Sequence, residues 1–428
     1  MNRIIFYLIA GFAVVSCNQN QGLNQLKASS NEASGYAIPL RDVVEQANAI
    51  LSEIDGAKYN IGSDDFNTRN VTRKIKSVDY ITANSEGCSI TRSGDAEPAL
   101  YLINYEDGKG FALMGADTRF PYAYAVSNEG YLDLSDTLYN DGLAIVFKMI
   151  TDDVINRLNV GETRGKFSET YKTMVKTEEM VQPWLGDMEV KGWNQGAPYN
   201  QYCLTDDGQT AQVGCAAVAL AQIMAHHKFP TLVDNVVYDW EEMINGDNND
   251  AVAMFMAKLG EESNLNMEYG TVSSTSYNSA LGRTLTNMGY VHDGLTDYNS
   301  DALMEYLSND TYPYGPAFVR GSRMKDNGEI TGHAWVIDGY ILQGLYIANG
   351  TINGGMYDYV FQGYLSPLMH CIWGWGGSCN GYYYVNPNSP QFDLSEGPEN
   401  TDGYLEGYGS MNSNYNLNIK VITGINRQ

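Results

Sequence analysis

Clustered positive charge is what this sequence most clearly lacks. Its 26 lysines and arginines face 51 aspartates and glutamates, so the formal net charge is −25 at pH 7. Binding to nucleic acid requires a basic face that neutralises phosphates, and we therefore expect no nucleic-acid partner. The acidic excess favours solubility outside the cell, with attraction of basic substrates as the weaker alternative.

Long apolar runs are also scarce, and the most notable one lies at the N-terminus. Arg3 precedes the apolar residues 4–15, a stretch too short to span a bilayer permanently. It ends in the sequence VVSC, whose last residue is Cys17, and this resembles the lipobox of bacterial lipoproteins. The resemblance implies a lipoprotein signal peptide over residues 1–17 with lipidation at Cys17; an ordinary signal peptide or a buried core segment is the alternative. We expect an exported protein on the periplasmic face or the surface of a bacterial cell envelope, held there by its lipid anchor alone or released after processing.

Composition and apolar spacing divide the remaining chain into a linker and two domains. Residues 18–36 are rich in Ser, Asn and Gln, as flexible linkers are. Residues 37–178 form the first predicted domain and residues 179–428 the second, with the charged segment Lys172–Met180 predicted as an exposed junction. In the first domain the spacing predicts two helices and two strands: helices Arg41–Ile54 and Leu143–Leu158, and strands Ala99–Asn104 and Gly110–Met114.

The second domain changes from helices to strands along the chain. Three helices are predicted, over Gly214–His227, Ala251–Asn264 and Tyr277–Met288. Strands are predicted after residue 313, at Ala317–Val319, Ala334–Ile337, Leu345–Ile347 and Gly381–Val385. Helices followed by strands within one domain indicate the α+β class.

Cys215 has the setting of a reactive thiol. It follows Gly214 and opens the predicted helix that begins with small apolar residues. A cysteine at a helix N-terminus lies at the positive end of the helix dipole, which lowers the thiol pKa. The alternative is a buried, inert cysteine that happens to start a helix.

Few histidines are available to serve as a base for this thiol, because the chain has five. His226 and His227 lie at the far end of the same helix, about 17 Å from Cys215 at 1.5 Å per residue, so they cannot reach it. His292 lies in a polar loop, and His370 is a weak candidate. His333 is better placed, since it follows Gly332 at the head of an apolar strand, where a general base would be held rigidly. A purely structural histidine is the alternative.

Four segments in succession carry a family resemblance. The segments Trp193–Asn200, Gly214–Met224, Gly332–Tyr340 and Trp373–Gly377 resemble, in order and spacing, the signatures of the streptopain family of papain-like cysteine proteases. The resemblance implies a papain-like α+β peptidase domain over residues 179–428, preceded by an inhibitory propeptide domain over residues 37–178. It also implies a secreted endopeptidase made as a zymogen that cleaves proteins or peptides without a metal or cofactor. The resemblance further implies a preference for a hydrophobic residue at P2, the second residue before the scissile bond.

The same resemblance assigns roles to individual residues. Cys215 would be the nucleophile, and His333 the group that accepts and then donates the proton. Gln195 would form an oxyanion hole together with the Cys215 backbone N–H. Three further positions would support the site, namely Gly332, Trp373 and Trp375.

The sequence departs from the family pattern in two places. The family has Asn or Asp before the first tryptophan of the WGWGG segment, whereas this chain has Ile372, so a backbone carbonyl or water would have to orient the His333 ring. The Tyr/Gly-rich segment 344–368 has the character of an insertion that could cover the cleft. Ile372 motivates an alternative function, a catalytically weak or inactive lipoprotein that binds peptides or proteins; acyl transfer by a transglutaminase-like site is a third.

Three more cysteines flank the predicted site, at positions 203, 371 and 379. An oxidising compartment would allow one disulfide among them, though the sequence cannot assign the pair. Free thiols in loops are the default expectation.

Overall fold

The structure is a computed structural model that describes residues 35–59, 73–84, 87–91, 97–138, 140–160, 166, 168, 171–186, 189–276, 278–309, 315–324, 330–349, 358–386 and 417–428. The predicted signal peptide with Cys17 lies outside these residues, as does the predicted linker up to residue 34. No helix within the described ranges is both long and apolar enough to cross a bilayer.

The helices of the described chain are amphipathic or, near the middle of the sequence, buried almost all round. They are α1 Leu40–Tyr59, α2 Asp141–Val160, α3 Cys215–His227, α4 Trp240–Ile244, α5 Asn249–Gly260, α6 Asn278–Asn287 and α7 Ser300–Leu307.

The strands of the first predicted domain are β1 Ile75–Asn84, β2 Gly87–Thr91, β3 Leu100–Tyr105, β4 Phe111–Gly115, β5 Ala123–Ser127 and β6 Tyr171–Val181, the last of which crosses the predicted domain boundary. Those that follow are β7 Leu232–Val233, β8 Val236–Val237, β9 Tyr290–Val291, β10 Leu295–Asp297, β11 Ala317–Met324, β12 Ile330–Asn349, β13 Val360–Tyr364, β14 Leu368–Ile372, β15 Gly381–Tyr384, β16 Leu417–Ile422 and β17 Asn426–Arg427. Helices and strands thus mix as the α+β class requires, and that prediction is confirmed.

One large sheet runs through both predicted domains. Its strand order is β10-β16-β11-β12-β14-β15-β5-β4-β3-β1-β2, and β6 and β13 also pair with β12. The two domains meet where β5 pairs with β15 and where β6 pairs with β12, antiparallel in both cases. The N-terminal domain is therefore joined to the C-terminal one by backbone hydrogen bonds as well as by side-chain packing.

Two apolar cores lie on opposite faces of the central strands. One surrounds α3 and includes Phe318 and Val336 from β11 and β12. The other contains the buried face of α2 together with Trp335 and Trp373. Adjacent residues of β12 thus contribute to different cores, as the alternation of side chains along a strand requires.

The long strand β12 differs from the prediction of two separate short strands. Gly339 and Gly344 lie between the two predicted strands. The structure gives Gly339 a different role, because a Cβ there would lie 2.6 Å from the Val181 carbonyl oxygen. Glycine there allows close approach of β6, so the strand continues through it.

The predicted exposed junction Lys172–Met180 is also a strand, part of β6. Its register runs from Tyr171 opposite Asn349 to Val181 opposite Tyr340. Thr173 and Val175 are buried while their neighbours are more exposed, and this period of two is that of a half-buried strand. The charged residues occupy its outer face.

The described part of the segment 344–368, expected to be an insertion, is mostly strand. Residues 344–347 belong to β12 and pair with β13 on one side and β6 on the other. Gly344 lies eleven positions after His333 along β12, which in a regular strand is roughly 35 Å. Residues 350–357 lie outside the described chain.

Candidate active site

Cys215 begins α3, and it follows a glycine whose backbone conformation other residues rarely adopt. Gly214 has φ of 92°, and a Cβ there would collide with the end of the Met267 side chain. No side chain caps the first turn of α3, so its free N–H groups leave the positive end of the dipole at the thiol. Cys215 is half-buried, and the structure therefore places this thiol where its thiolate is favoured.

His333 lies near the start of β12 with its ring in contact with Cys215. Its Nε2 is 2.7 Å from the Trp373 carbonyl oxygen. Because a carbonyl only accepts, Nε2 must carry a proton and donate it, which leaves Nδ1 for the hydrogen bond with the Cys215 thiol. The ring is thus held from both sides.

The pKa values of the two groups move toward an ion pair. Burial raises the pKa of Cys215, but the hydrogen bond and positive charge of His333, with help from the Ala334 N–H and Arg320, outweigh it and lower the pKa below its usual value. Burial lowers the pKa of His333, yet Cys215, the Trp373 carbonyl and Asp141 outweigh that effect and raise it. Both shifts favour thiolate beside imidazolium.

The Trp373 peptide group supplies the hydrogen-bond acceptor for His333 that the Ile372 side chain lacks. The Ile372 side chain is buried in the core around α3 and does not face the histidine, so the acceptor is the backbone carbonyl of the next residue. That peptide is fixed by Asn380, whose Oδ1 accepts from the Trp373 N–H at 3.1 Å. The indole Nε1 donates to the Cys379 carbonyl at 2.9 Å, so the acceptor is rigid.

Gln195, Trp375 and Gly332, which were also predicted at the site, have contacts with this pair or with its neighbours in the chain. The Gln195 carbonyl accepts from the Val213 N–H at 2.9 Å, which ties Gln195 to the segment immediately before Cys215. The Trp375 ring centroid lies 6.1 Å from that of His333. Gly332 is exposed beside His333, and a Cβ there would come within 3.1 Å of the Gly321 carbonyl oxygen.

Comparison with known proteins fits this arrangement. Residues 193–383 match the Peptidase C10 family. The chain carries a Peptidase C10 domain. The predicted resemblance to the streptopain family is thereby confirmed.

Relatives extend the similarity beyond the C10 domain. The thiol protease/hemagglutinin PrtT of Porphyromonas gingivalis is 24% identical over 383 residues, which are 78% of this chain and 38% of PrtT. Streptopain of Streptococcus pyogenes is 24% identical over 338 residues, 68% of this chain and 75% of streptopain. The chain therefore spans well under half the length of PrtT. A prointerpain A fragment of Prevotella intermedia shows 19% identity and a TM-score of 0.47 over 82% of this chain and 98% of the fragment.

The remaining histidines of the C10 domain lie away from Cys215 or have structural partners. His226 and His227 are at the C-terminal end of α3, where His226 packs on Trp184 with ring centroids 5.5 Å apart. His292 accepts from the Gly294 N–H within its own turn. His370 Nδ1 lies 2.6 Å from a carboxylate oxygen of the buried Asp338.

The cysteines at 203, 371 and 379 are free thiols, as is Cys215. The disulfide that the sequence would allow among the first three is therefore not formed. Burial raises the pKa of Cys203 and of Cys371, and burial with the nearby Asp136 carboxylate raises that of Cys379. Among these four thiols, the lowered pKa is specific to Cys215. Nor do the described residues group three or more His, Cys, Asp or Glu side chains as a metal site would need.

Sequence reasoning missed the start of α2, which lies against the C10 domain's candidate site. Asn140 caps this helix by accepting from the Leu143 N–H at 2.9 Å. A Cβ at Gly142 would lie 2.5 Å from His333 Cδ2 and 2.8 Å from Trp373 Cε3. The available signal was a glycine immediately before the predicted helix Leu143–Leu158, which by itself does not say what the helix approaches.

Proposed function

We propose that this chain is a cysteine endopeptidase made as a latent precursor, with Cys215 as nucleophile and His333 as proton acceptor and donor. The observation that carries the proposal is the hydrogen-bonded pair with a lowered thiol pKa and a raised imidazole pKa. The match of residues 193–383 to Peptidase C10 supports it, as does similarity to proteins called thiol protease and streptopain.

The proposed reaction uses the pair in two steps. The Cys215 thiolate attacks the substrate carbonyl, and the resulting oxyanion is stabilised by the Cys215 backbone N–H and the Gln195 side-chain amide. His333 gives its Nδ1 proton to the leaving amine, which leaves a thioester on Cys215. Neutral His333 then takes a proton from water, and the hydroxide formed hydrolyses the thioester, which restores the Cys215 thiolate beside protonated His333.

The proposed latency arises from residues 37–178 as an inhibitory propeptide. The first turn of α2 packs against His333 and Trp373, where a substrate's leaving group would have to lie. Asp141 accepts a hydrogen bond from Thr331 Oγ1 at 2.6 Å, which holds this turn on β12. A substrate and α2 therefore compete for the same space.

Activation then requires cleavage followed by release of the propeptide. We place the cut between residues 172 and 191, as the charged segment suggests. Because β6 pairs with β12 over residues 171–181, a cut inside that strand would free the propeptide only after those hydrogen bonds separate. Export with a lipid anchor at Cys17, and a preference for hydrophobic P2 residues, rest on sequence resemblance and are part of the proposal.

Ile372 no longer supports the alternative of an inactive, peptide-binding protein. That alternative depended on a histidine with no acceptor for its ring N–H. The Trp373 carbonyl accepts that hydrogen bond, with 2.7 Å between His333 Nε2 and the carbonyl oxygen. We therefore favour the enzyme.

The deciding experiment is removal of the thiol from the full-length chain. After activation by limited proteolysis, we expect Cys215→Ala to lower hydrolysis of casein or a fluorogenic peptide by roughly 10⁴-fold or more, since a missing nucleophile leaves only residual catalysis. Cys203→Ala removes another free thiol and should leave activity nearly unchanged. Full activity in Cys215→Ala would refute the proposal.

A further inference from the structure

Arg320 stands out because the proposed chemistry gives it no role, although it lies on the same side of the sheet as Cys215. It faces Ala334 across the β11–β12 pair, two residues along from Phe318, which faces Val336. Phe318, Ala334 and Val336 all belong to the core around α3. Since alternate strand residues share a face, the Arg320 side chain leaves the sheet toward the N-terminal end of α3.

The guanidinium is near the reacting sulfur. The Ala334 backbone N–H donates to the Cys215 thiolate, and the charge of Arg320 is close enough to lower the pKa of that thiol. Facing residues in an antiparallel pair have Cα atoms about 5 Å apart. Arg320 therefore lies on the strand adjacent to Ala334, whose N–H is the hydrogen-bond donor to the thiol. Phe318 and Ala334 are buried, whereas Arg320 is half-exposed, which places its charge where this face opens to solvent.

The position relative to His333 decides which part of a substrate Arg320 would meet. The His333 ring points to the opposite face, toward Trp373 and α2, and a leaving amine must lie beside that ring to receive its proton. The acyl part of the substrate therefore lies on the Arg320 side. The first acyl residue holds the carbonyl over Cys215, and the next begins about 3.5 Å further along, so the second side chain is the one that reaches across Ala334.

We propose that Arg320 is a specificity-determining residue at P2 of the substrate: beside the hydrophobic side chains expected there, the site accepts an acidic one and prefers glutamate to the isosteric glutamine. The proposal rests on the cysteine-peptidase function proposed above. Ala334 would line the aliphatic stem of the glutamate while Arg320 binds its carboxylate through charge-assisted hydrogen bonds. Arg320 has interactions of its own in the intact chain, and the substrate carboxylate would compete with them.

A neighbouring cation provides a matched control. Lys420 lies opposite Arg320 on the other side of β11, one strand further from Ala334. Its ammonium pairs with the Asp297 carboxylate. Lys420→Gln therefore removes one positive charge from the same region without touching the proposed contact.

The test measures kcat/KM of the full-length chain, activated by limited proteolysis, on fluorogenic peptides that differ only at P2 as Glu, Gln, Leu or Lys. We expect Glu to exceed Gln by about tenfold or more, the usual scale for a hydrogen-bonded charge. Arg320→Gln should abolish that ratio, Arg320→Lys should keep part of it, and Arg320→Glu should shift the preference to Lys. Lys420→Gln should leave the Glu/Gln ratio as in the wild type.

Two results would overturn the inference while Cys215-dependent cleavage persists. One is an unchanged Glu/Gln ratio in Arg320→Gln. The other is an equal fall on all four peptides, which would mean that Arg320 acts on the thiolate alone. Binding of uncleaved Glu and Gln peptides to processed Cys215→Ala measures the same ratio without turnover, so failure of the peptidase proposal and failure of this one remain distinguishable.

Discussion

At the scale of single residues, the orientation of His333 depends on one peptide group. The Trp373 carbonyl accepts from Nε2, and the Asn380 side chain holds the N–H of the same residue. Asn380 also donates to the Lys191 carbonyl at 3.4 Å and is buried. We regard Asn380 as a positioning residue that acts on the histidine through the backbone of Trp373.

Asn380→Leu should therefore impair turnover more than substrate binding. It leaves the Trp373 N–H without its acceptor, at a cost of about 1–3 kcal/mol in stability. A displaced carbonyl misorients the ring, and a displacement near 1 Å can lower kcat about 100-fold. Because the Trp373 carbonyl raises the pKa of His333, its loss lowers that pKa, and the fall of activity at high pH should begin at a lower pH. Steady-state kinetics across pH measure both effects.

Two variants separate positioning from stability. Asn380→Asp retains an acceptor and should restore much of kcat. Asn264→Leu removes another buried amide, one that donates to the Lys258 carbonyl at 2.9 Å rather than supporting the Trp373 peptide group; it should lower stability with no change in the pH profile. A profile that shifts equally in both Leu variants would contradict the positioning role.

At the scale of secondary-structure elements, the start of α2 packs directly against the candidate site, and the proposed latency depends on that contact. Asn140 fixes where the helix begins, and Gly142 then fits against two aromatic rings that have no room for a methyl group. Ring atoms held by their own hydrogen bonds cannot move aside easily, so the helix would have to shift instead.

Gly142→Ala should loosen the propeptide. Overpacking of this kind costs about 1–3 kcal/mol, so we expect a lower melting temperature for the intact chain and faster appearance of peptidase activity during limited proteolysis. Gly56→Ala in α1 is the control: apart from its chain neighbours and the backbone of its own helix, no described atom lies within 4 Å of the added methyl group, and replacing a helical glycine stabilises by about 1 kcal/mol. Equal behaviour of the two variants would show that α2 does not obstruct the site.

Whether a helix or strand could be predicted depends on whether its own sequence contains the reason for it. Apolar spacing predicted α1, α2, α3, β3 and β4, because each has a face buried in one core. It missed the continuity of β12, because the reason for Gly339 is the backbone of a strand distant in sequence.

The candidate site was predictable to a similar, limited degree. Residue types and motifs indicated Cys215 and His333, which the structure brings together. The sequence predicted that a backbone carbonyl or water would accept from the His333 ring, but not that Trp373 supplies the carbonyl, because every residue has one. The role proposed for Arg320 depends on strand register, which no local motif contains.

At the scale of the whole molecule, both predicted domains share one sheet and one of the two cores. Removal of residues 37–178 would uncover β15, which pairs with β5, and the apolar surface of Trp373 and Trp335 beneath α2. The proposed latency would thus depend on packing and hydrogen bonding spread over the contact between the two predicted domains, with the turn at Gly142 as the part that reaches His333.

The reactivity of the four described free thiols toward iodoacetamide, resolved by mass spectrometry across pH, tests the central claim most directly. In the intact chain Cys215 should react slowly beneath α2; after limited proteolysis it should react fastest, because its pKa lies below that of an ordinary thiol while those of Cys203, Cys371 and Cys379 lie above. Its rate should rise with pH through that lowered pKa, and His333→Gln should move the rise to higher pH. A processed chain in which Cys215 titrates as an ordinary thiol, unaffected by His333→Gln, would contradict the account.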